Sequence, residues 1–170
     1  MSELKGQPCP FCQEKKAILR EEEIEVPHFG RLFVLTMECE GCGAKKSDIE
    51  PAEQKEPCKY TFDVVSEEDL NVKIVKSGEA TVKIPHVISI EPGPASNGYI
   101  TNVEGFLVKV KEMIESSAEA EEDDAIKKKA KNMIKKLNRV MAGQESLKII
   151  IEDKTGNSAI ISEKAQKSKL

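Results

Sequence analysis

Aromatic residues are scarce in this sequence, which has no tryptophan, two tyrosines and five phenylalanines among 170 residues. A hydrophobic core must therefore consist mainly of valine, isoleucine and leucine. Branched side chains pack well on pleated strands, so the composition favours a mainly β structure. The length is sufficient for one ordinary domain and a small additional module.

Several features of enzymes are also missing. The two histidines, His28 and His86, each follow a proline, and neither lies in a recognisable catalytic motif. There is no glycine-rich phosphate-binding loop, because the candidate glycines are isolated: Gly78, Gly93, Gly98 and Gly105. We therefore predict that the protein is not an enzyme and has no catalytic residues.

Long apolar segments are absent as well. Even the run Leu147–Ile151 has only the length of a strand, and no stretch approaches a membrane span. The N-terminus has no apolar region of the kind found in signal peptides. These absences predict a soluble, cytoplasmic protein without a membrane partner, in a compartment where thiols stay reduced.

Cysteines are the most informative residues of the chain. Cys9 and Cys12 form one Cys-x-x-Cys pair, Cys39 and Cys42 form a second, and 26 residues separate Cys12 from Cys39. Each pair can direct two sulfurs at one point, and two pairs complete a tetrahedral site without an open position. We predict one structural zinc ion bound by these four cysteines. Gly43 would let the chain turn back after the second pair.

Two disulfides or a redox pair are the alternative interpretations of these cysteines. Disulfides require an oxidising compartment, and a redox Cys-x-x-Cys usually occurs once, near a βαβ pattern that this sequence lacks. His28 lies between the pairs but would be surplus to four cysteines. Cys58 has no partner at a suitable spacing, and we expect it to be a spare thiol and not a fifth ligand.

The charge of the first part of the chain argues against nucleic acid as a partner. Residues 1–60 contain nine lysines and arginines against twelve acidic residues. Four thiolates and one zinc ion add a further net charge of about −2. A surface that binds phosphates should have the opposite sign. A nucleic-acid-binding zinc ribbon of transcription or translation is therefore the second choice of function, after a protein-binding one.

The apolar pattern divides the chain into a ribbon and a β-domain. Alternation predicts strands at 17–26 and 31–38, between the cysteine pairs, and a charged linker with two prolines at 50–60. Two knuckles joined by such strands form a zinc ribbon, which we assign to residues 1–57.

We assign residues 58–163 to the β-domain and 164–170 to a frayed polar tail. Alternating residues on both sides of Ser77-Gly78 predict a hairpin. Three further strands are predicted at 87–90, 147–152 and 158–162.

A helical hairpin is predicted as an insertion in this β-domain, at about 101–142. Thr101 and Glu104 fit a capping box that opens the first helix, with Thr101 as the N-cap. The apolar face of this helix comprises Val103, Phe106, Leu107, Val110 and Ile114. The second helix, at 123–141, has an apolar stripe of its own: Ile126, Ala130, Met133, Ile134, Leu137 and Met141.

The second helix is also rich in lysine. Its basic residues have no acid between them: Lys127, Lys128, Lys129, Lys131, Lys135, Lys136 and Arg139. A solvated face explains them, since bases toward the C-terminus suit the helix dipole. The alternatives are a stripe for an acidic protein or for nucleic acid, although no aromatic residues offer a platform for base stacking.

Several stretches together resemble the ZPR zinc-finger family. They are the Cys-Pro-x-Cys opening, Val26–Gly30, Glu38–Gly43, Val75–Ser77 with Ala80–Pro85, and Gly98–Gly105. The similarity covers about residues 7–162. The resemblance implies a Cys₄ zinc ribbon followed by a double-stranded β-helix-like domain with an inserted helical hairpin.

The resemblance also implies a function. Eukaryotic members have two finger-plus-β modules and act as a folding chaperone for translation elongation factor 1-alpha, and they were described as binding receptor tyrosine kinases. This chain has one module and looks like the short archaeal members. We therefore expect a zinc-binding protein that binds, and assists the folding or assembly of, elongation factor 1-alpha or a related GTPase.

Overall fold

The computed structural model describes residues 1–27, 29–53, 55–94 and 96–170. In these residues the chain forms twelve strands and two α-helices. A four-stranded sheet comes first, and a larger β-domain of two sheets follows it. The predicted fold class, mainly β with inserted α, is confirmed. Neither helix in the described part has the length and hydrophobicity that a membrane span requires.

The first sheet is the ribbon, with its four antiparallel strands in chain order. The strands are β1 (Ser2–Gln7), β2 (Ala17–Val26), β3 (Gly30–Cys39) and β4 (Lys45–Pro51). The two strands predicted between the cysteine pairs are thus confirmed as β2 and β3. β1 and β4 were not predicted from the sequence, because their side chains are mostly polar and do not alternate with apolar ones.

The β-domain is a jelly roll made of a five-stranded and a three-stranded sheet. Its elements are β5 (Cys58–Val64), a 3₁₀ helix (Glu67–Asn71), β6 (Lys73–Lys76), β7 (Thr81–Ile84), β8 (Ile88–Ile90), β9 (Tyr99–Asn102), α1 (Val103–Glu119), α2 (Asp124–Met141), β10 (Leu147–Asp153), β11 (Ala159–Ile161) and β12 (Gln166–Lys169). The strand orders are β12-β5-β10-β7-β8 and β11-β6-β9. The predicted linker at 50–60 is wrong at both ends, because β4 includes Pro51 and β5 begins at Cys58.

The predicted hairpin around Ser77-Gly78 is wrong. β6 pairs with β9 and β11, whereas β7 pairs with β8 and β10, so the turn leads from one sheet to the other. Alternation of apolar residues correctly indicates half-buried strands, but it does not identify the neighbour of a strand. The last two predicted strands likewise belong to different sheets, as β10 and β11.

The predicted frayed tail at 164–170 is also wrong in its centre. Gln166–Lys169 forms β12, which pairs antiparallel with β5 from Gln166 opposite Thr61 to Lys169 opposite Cys58. All four residues of β12 are exposed. Polar side chains indicate that a segment is exposed, but not that its backbone is unpaired. The side chains of an edge strand can be exposed while its backbone is hydrogen-bonded to the neighbouring strand.

The inserted helices complete the jelly-roll core. α1 buries the predicted residues Val103, Phe106, Leu107, Val110 and Ile114. α2 begins after Asp123, whose carboxylate accepts a hydrogen bond from the Ala125 amide at 2.7 Å. Its buried residues are Ala130, Leu137 and Val140. The predicted stripe is therefore wrong at Ile126, which is 49% exposed in the first turn.

The predicted N-cap of α1 is off by one residue. Asn102, not Thr101, is the N-cap, and its side chain accepts a hydrogen bond from the Gly105 amide at 2.8 Å. Thr101 belongs to β9 and lies opposite Ile74 of β6. A side chain at position 105 would run into Thr101 Oγ1, which explains the glycine in this motif.

The ribbon packs directly on the jelly roll. Leu32 and Ile49 of the ribbon form one buried apolar cluster with Val75 of β6. Polar contacts flank this cluster: Ser47 Oγ donates to the Gly98 carbonyl at 2.9 Å, and the Gly78 amide donates to Asp48 Oδ1 at 3.3 Å. The zinc-binding end of the ribbon is therefore connected to the jelly roll through β3 and β4.

Candidate metal centre

Two similar turns bring the four cysteines together at one end of the ribbon. In the first, the Gln13 amide donates to the Cys9 carbonyl at 2.8 Å, and in the second the Gly43 amide donates to the Cys39 carbonyl at 2.9 Å. Gln13 and Gly43 occupy equivalent positions and have positive φ angles of 63° and 72°. Gly43 meets this need without strain, as predicted, whereas Gln13 adopts a conformation that is uncommon outside glycine.

The sulfur positions match the geometry of a tetrahedral metal site. Cys9 Sγ lies 3.7 Å from Cys42 Sγ, and Cys12 Sγ lies 3.7 Å from Cys39 Sγ. All four sulfurs are within 4.8 Å of one another. Zn–S bonds of about 2.3 Å in a tetrahedron place neighbouring sulfurs about 3.8 Å apart. All five cysteines are free thiols, which disagrees with the disulfide alternative.

Comparison with protein families identifies both parts of the chain. The ZPR1 zinc-finger domain matches residues 3–57, and the ZPR1 jelly-roll domain matches residues 68–170. The chain belongs to the ZPR1 family. The predicted family, the predicted order of a zinc ribbon followed by a β-domain with a helical hairpin, and the predicted cofactor, one zinc ion, are thereby confirmed.

Relatives in archaea resemble the chain over nearly its whole length. A ZPR1-like protein of Methanocaldococcus jannaschii is 36% identical over 91% of this chain and 79% of its own. A ZPR1-like protein of Pyrococcus horikoshii is 34% identical over 100% of this chain and 78% of its own. The zinc finger chaperone zpr1 of Schizosaccharomyces pombe is 34% identical over 79% of this chain, which corresponds to 30% of that longer protein.

The electrostatics of this ZPR1-family site favour a bound cation. A hydrogen bond from the Cys12 backbone lowers the pKa of Cys9 to about 7. The Glu14 backbone favours the Cys12 thiolate, but burial and the neighbouring thiols outweigh it and raise the pKa of Cys12 to about 12. Four thiols at this spacing cannot all lose their protons unless a cation compensates their charge.

The remaining sequence-predicted candidates lie elsewhere or are not described. Cys58 is buried in the jelly roll, where its sulfur lies 3.4 Å from the Ser158 carbonyl oxygen. His86 is exposed in the turn between β7 and β8 with a φ of 62°. His28 lies outside the described residues.

One face of the ribbon has an apolar groove that was not predicted from the sequence. Its walls include Leu4 of β1, Leu19 of β2, and Leu35 and Met37 of β3, around a space of about 320 Å³. Leu4 is 60% exposed. The groove exists because β1 pairs with β2 and places Leu4 opposite Leu19. The isolated leucine in a polar N-terminal segment was the one signal for it.

Proposed function

We propose that the protein is a zinc-stabilised chaperone that binds, and assists the folding or assembly of, translation elongation factor 1-alpha or a related GTPase. The chaperone role rests on the 34% identity to the Schizosaccharomyces pombe zinc finger chaperone over 79% of this chain, and the choice of client rests on what the resemblance to the ZPR family implies. In this proposal Cys9, Cys12, Cys39 and Cys42 are the ligands of one structural zinc ion. The zinc would fix the shape of the ribbon and take no part in chemistry, and the protein would act without catalytic residues.

The apolar groove of the ribbon supports a protein partner. Single exposed apolar residues are common, but Leu4, Leu19, Leu35 and Met37 are adjacent and line one groove. A partly folded client exposes apolar segments, and such segments bind to apolar surface because both are removed from water. We propose the groove as one contact surface for the client.

The charges near the ribbon do not favour the nucleic-acid alternative. On the ribbon, Glu3 and Glu38 flank Arg20 at 2.7 and 3.6 Å, and Glu38 also pairs with Lys45 at 2.7 Å. These basic groups are thus already paired with carboxylates. The lysines of α2 belong to a different module, and two of its basic residues, Lys136 and Arg139, pair with Glu145.

A refolding assay tests the proposed function. Elongation factor 1-alpha from the same organism would be unfolded in guanidinium chloride, diluted into buffer, and assayed for recovery of GDP binding with and without the zinc-loaded protein. We expect a larger recovered fraction when the zinc-loaded protein is present. Equal recovery in both reactions would contradict the proposal.

Two matched variants test the groove in the same assay. Leu4→Lys places a charge in the groove, and Val65→Lys places one at a residue that is equally exposed, at 60%, but lies outside it. We expect Leu4→Lys to lower the recovered fraction and Val65→Lys to leave it unchanged. Equal behaviour of the two variants would exclude the groove as a client surface.

A further inference from the structure

A second cavity lies in the jelly roll, between helix α1 and the ends of β6 and β9. Its volume is about 590 Å³, which is in the usual range of ligand sites. Phe106 and Met113 of α1 contribute apolar wall, Lys76 and Lys109 supply two cations, and Tyr99 contributes its ring. We call this cavity the Lys76 cleft.

Lys76 is an unusual lysine because it is buried. Lys76 is only 6% exposed, and it lies on β6 directly opposite Tyr99 of β9. The ammonium group can donate three hydrogen bonds, but among the described residues it donates only one, to the Ser77 carbonyl at 3.0 Å. No carboxylate of these residues lies within 4.0 Å of it.

Two of the carboxylates whose charges act on Lys76, Asp153 and Asp48, are already bound by other groups. Asp153 accepts hydrogen bonds from Ser77, Ser158 and Thr155, and Asp48 accepts from the backbone amides of Ile49 and Gly78. Burial lowers the pKa of Lys76, and the charges of Asp153, Asp48 and Glu79 oppose this effect from a distance. A buried ammonium without a direct counterion costs free energy, which an anion in the cleft would offset.

Lys109 adds a second cation beside the same ring. Its Nζ lies 4.9 Å from the centre of the Tyr99 ring, and Lys76 Nζ lies 5.6 Å from that centre. Glu112 also lines the cleft, but it forms no ion pair within 4.0 Å in the described part of the chain. The cleft therefore offers two cations, an aromatic face and an apolar wall, and its one lining carboxylate, Glu112, is not paired directly with either lysine.

We propose that the Lys76 cleft binds an acidic peptide segment, in which an aspartate or glutamate has an apolar neighbour. The carboxylate pairs with the Lys76 ammonium and lies within the field of Lys109, and the apolar side chain packs on Phe106 and Met113. A small inorganic anion would use the two lysines but leave Met113, which is 46% exposed, uncovered. The assignment of the peptide to a folding client rests on the proposed function, whereas the binding chemistry does not.

Binding of short peptides tests this inference directly. The probe is the blocked peptide acetyl-Ala-Leu-Glu-Phe-Ala-amide, titrated into the full zinc-loaded protein by calorimetry at low salt. The control is the same peptide with glutamine in place of glutamate. We expect the glutamate peptide to bind about tenfold more tightly or better, since a hydrogen bond to a charged group is at least this strong. Equal affinity of the two peptides would overturn the inference.

Three lysine variants locate the binding. Lys76→Met should weaken binding of the glutamate peptide about tenfold or more, and Lys109→Met should weaken it less. Lys73→Met changes an exposed lysine of the same strand and should leave binding unchanged. A thermal unfolding curve of each variant excludes loss of folding, and the exposed Lys109 provides a test even if Lys76→Met does not fold. Unchanged binding in Lys109→Met would overturn the inference, and so would unchanged binding in a folded Lys76→Met.

Two further measurements separate this inference from other outcomes. Inorganic phosphate that displaces the peptide at equal concentration would show a general small-anion site and overturn the assignment to a peptide. The wild-type protein could bind the glutamate peptide selectively and yet fail to assist refolding of elongation factor 1-alpha. That result would reject the proposed function and support the inference about the Lys76 cleft. Assisted refolding together with equal binding of the two peptides would support the proposed function and reject the inference about the Lys76 cleft.

Discussion

Replacing Asp153 with alanine should destabilise the jelly roll more than any substitution of a surface carboxylate. Asp153 is 0% exposed at the end of β10. Its Oδ2 accepts from Ser77 Oγ at 2.6 Å and from Ser158 Oγ at 2.5 Å, and its Oδ1 accepts from the Thr155 amide and hydroxyl at 2.8 and 2.6 Å. One carboxylate thus joins the turn that follows β6 to the turn that follows β10.

The direction of the Asp153 pKa supports a net stabilising role. Burial alone would raise this pKa, but hydrogen bonds from Ser158, Ser77 and Thr155 outweigh burial and hold it below its ordinary value. Hydrogen bonds to charged groups contribute about 1.5–3 kcal/mol each. The hydroxyl groups of Ser77 and Ser158 can rotate to other acceptors, so the bonds do not add fully. We expect Asp153→Ala to lower the free energy of unfolding by about 4 kcal/mol.

Urea unfolding of the zinc-loaded protein, followed by circular dichroism, measures this loss. With a slope of about 2 kcal/mol per molar urea, the midpoint should fall by about 2 M. Asp63→Ala is the matched control, because Asp63 pairs with Lys148 at 2.9 Å on the surface and its side chain is 58% exposed. Its loss should stay below about 1 kcal/mol. A loss in Asp153→Ala no larger than that in the control would refute the reasoning.

Two other predictions concern the zinc site and the start of α1. Cys39→Ser should release zinc and unfold the ribbon, because a structural zinc site contributes its binding free energy to folding. A metal analysis that finds full zinc content, together with an unchanged melting curve, would disprove the ligand assignment. Asn102→Ala should lower the free energy of unfolding by about 1 kcal/mol through loss of the N-cap. Thr101→Ala is the control, because it leaves the hydrogen bond between Asn102 and Gly105 in place. Equal losses of unfolding free energy in the two variants, measured by urea unfolding, would contradict this cap.

Local features of the fold could be predicted from the sequence because neighbours along the chain determine them. The spacing of Cys9, Cys12, Cys39 and Cys42 requires only two tight turns and one hairpin, and the structure places all four sulfurs together. The apolar face of α1 follows from helical periodicity, and it is buried as expected. The helix cap was ambiguous, since Thr101 and Asn102 are both good N-cap residues.

Long-range features could not be predicted in this way. The pairing of β6 with β9 rather than β7 depends on which sheet each strand joins, and the hydrophobic pattern is the same for either neighbour. The strands β1 and β12 were missed because their residues are nearly all exposed, so that backbone pairing alone defines them. The Lys76 cleft was missed for a related reason: Lys76 and Lys109 come together only through the packing of α1.

The position of β10 has a consequence for synthesis of the chain. β10 lies between β5 and β7, and its pairing with β5 joins Leu147 to Val64 and Asp153 to Cys58. The ribbon and the helical hairpin contain their own local contacts and can form as they leave the ribosome, whereas pairings so distant in sequence form late. Until residue 153 has emerged, Phe62 of β5 and Val82 of β7, both 0% exposed in the folded protein, lack their common neighbour. A nascent chain that stalls within the helical hairpin would therefore present the unfinished jelly roll to the cell's own quality-control machinery.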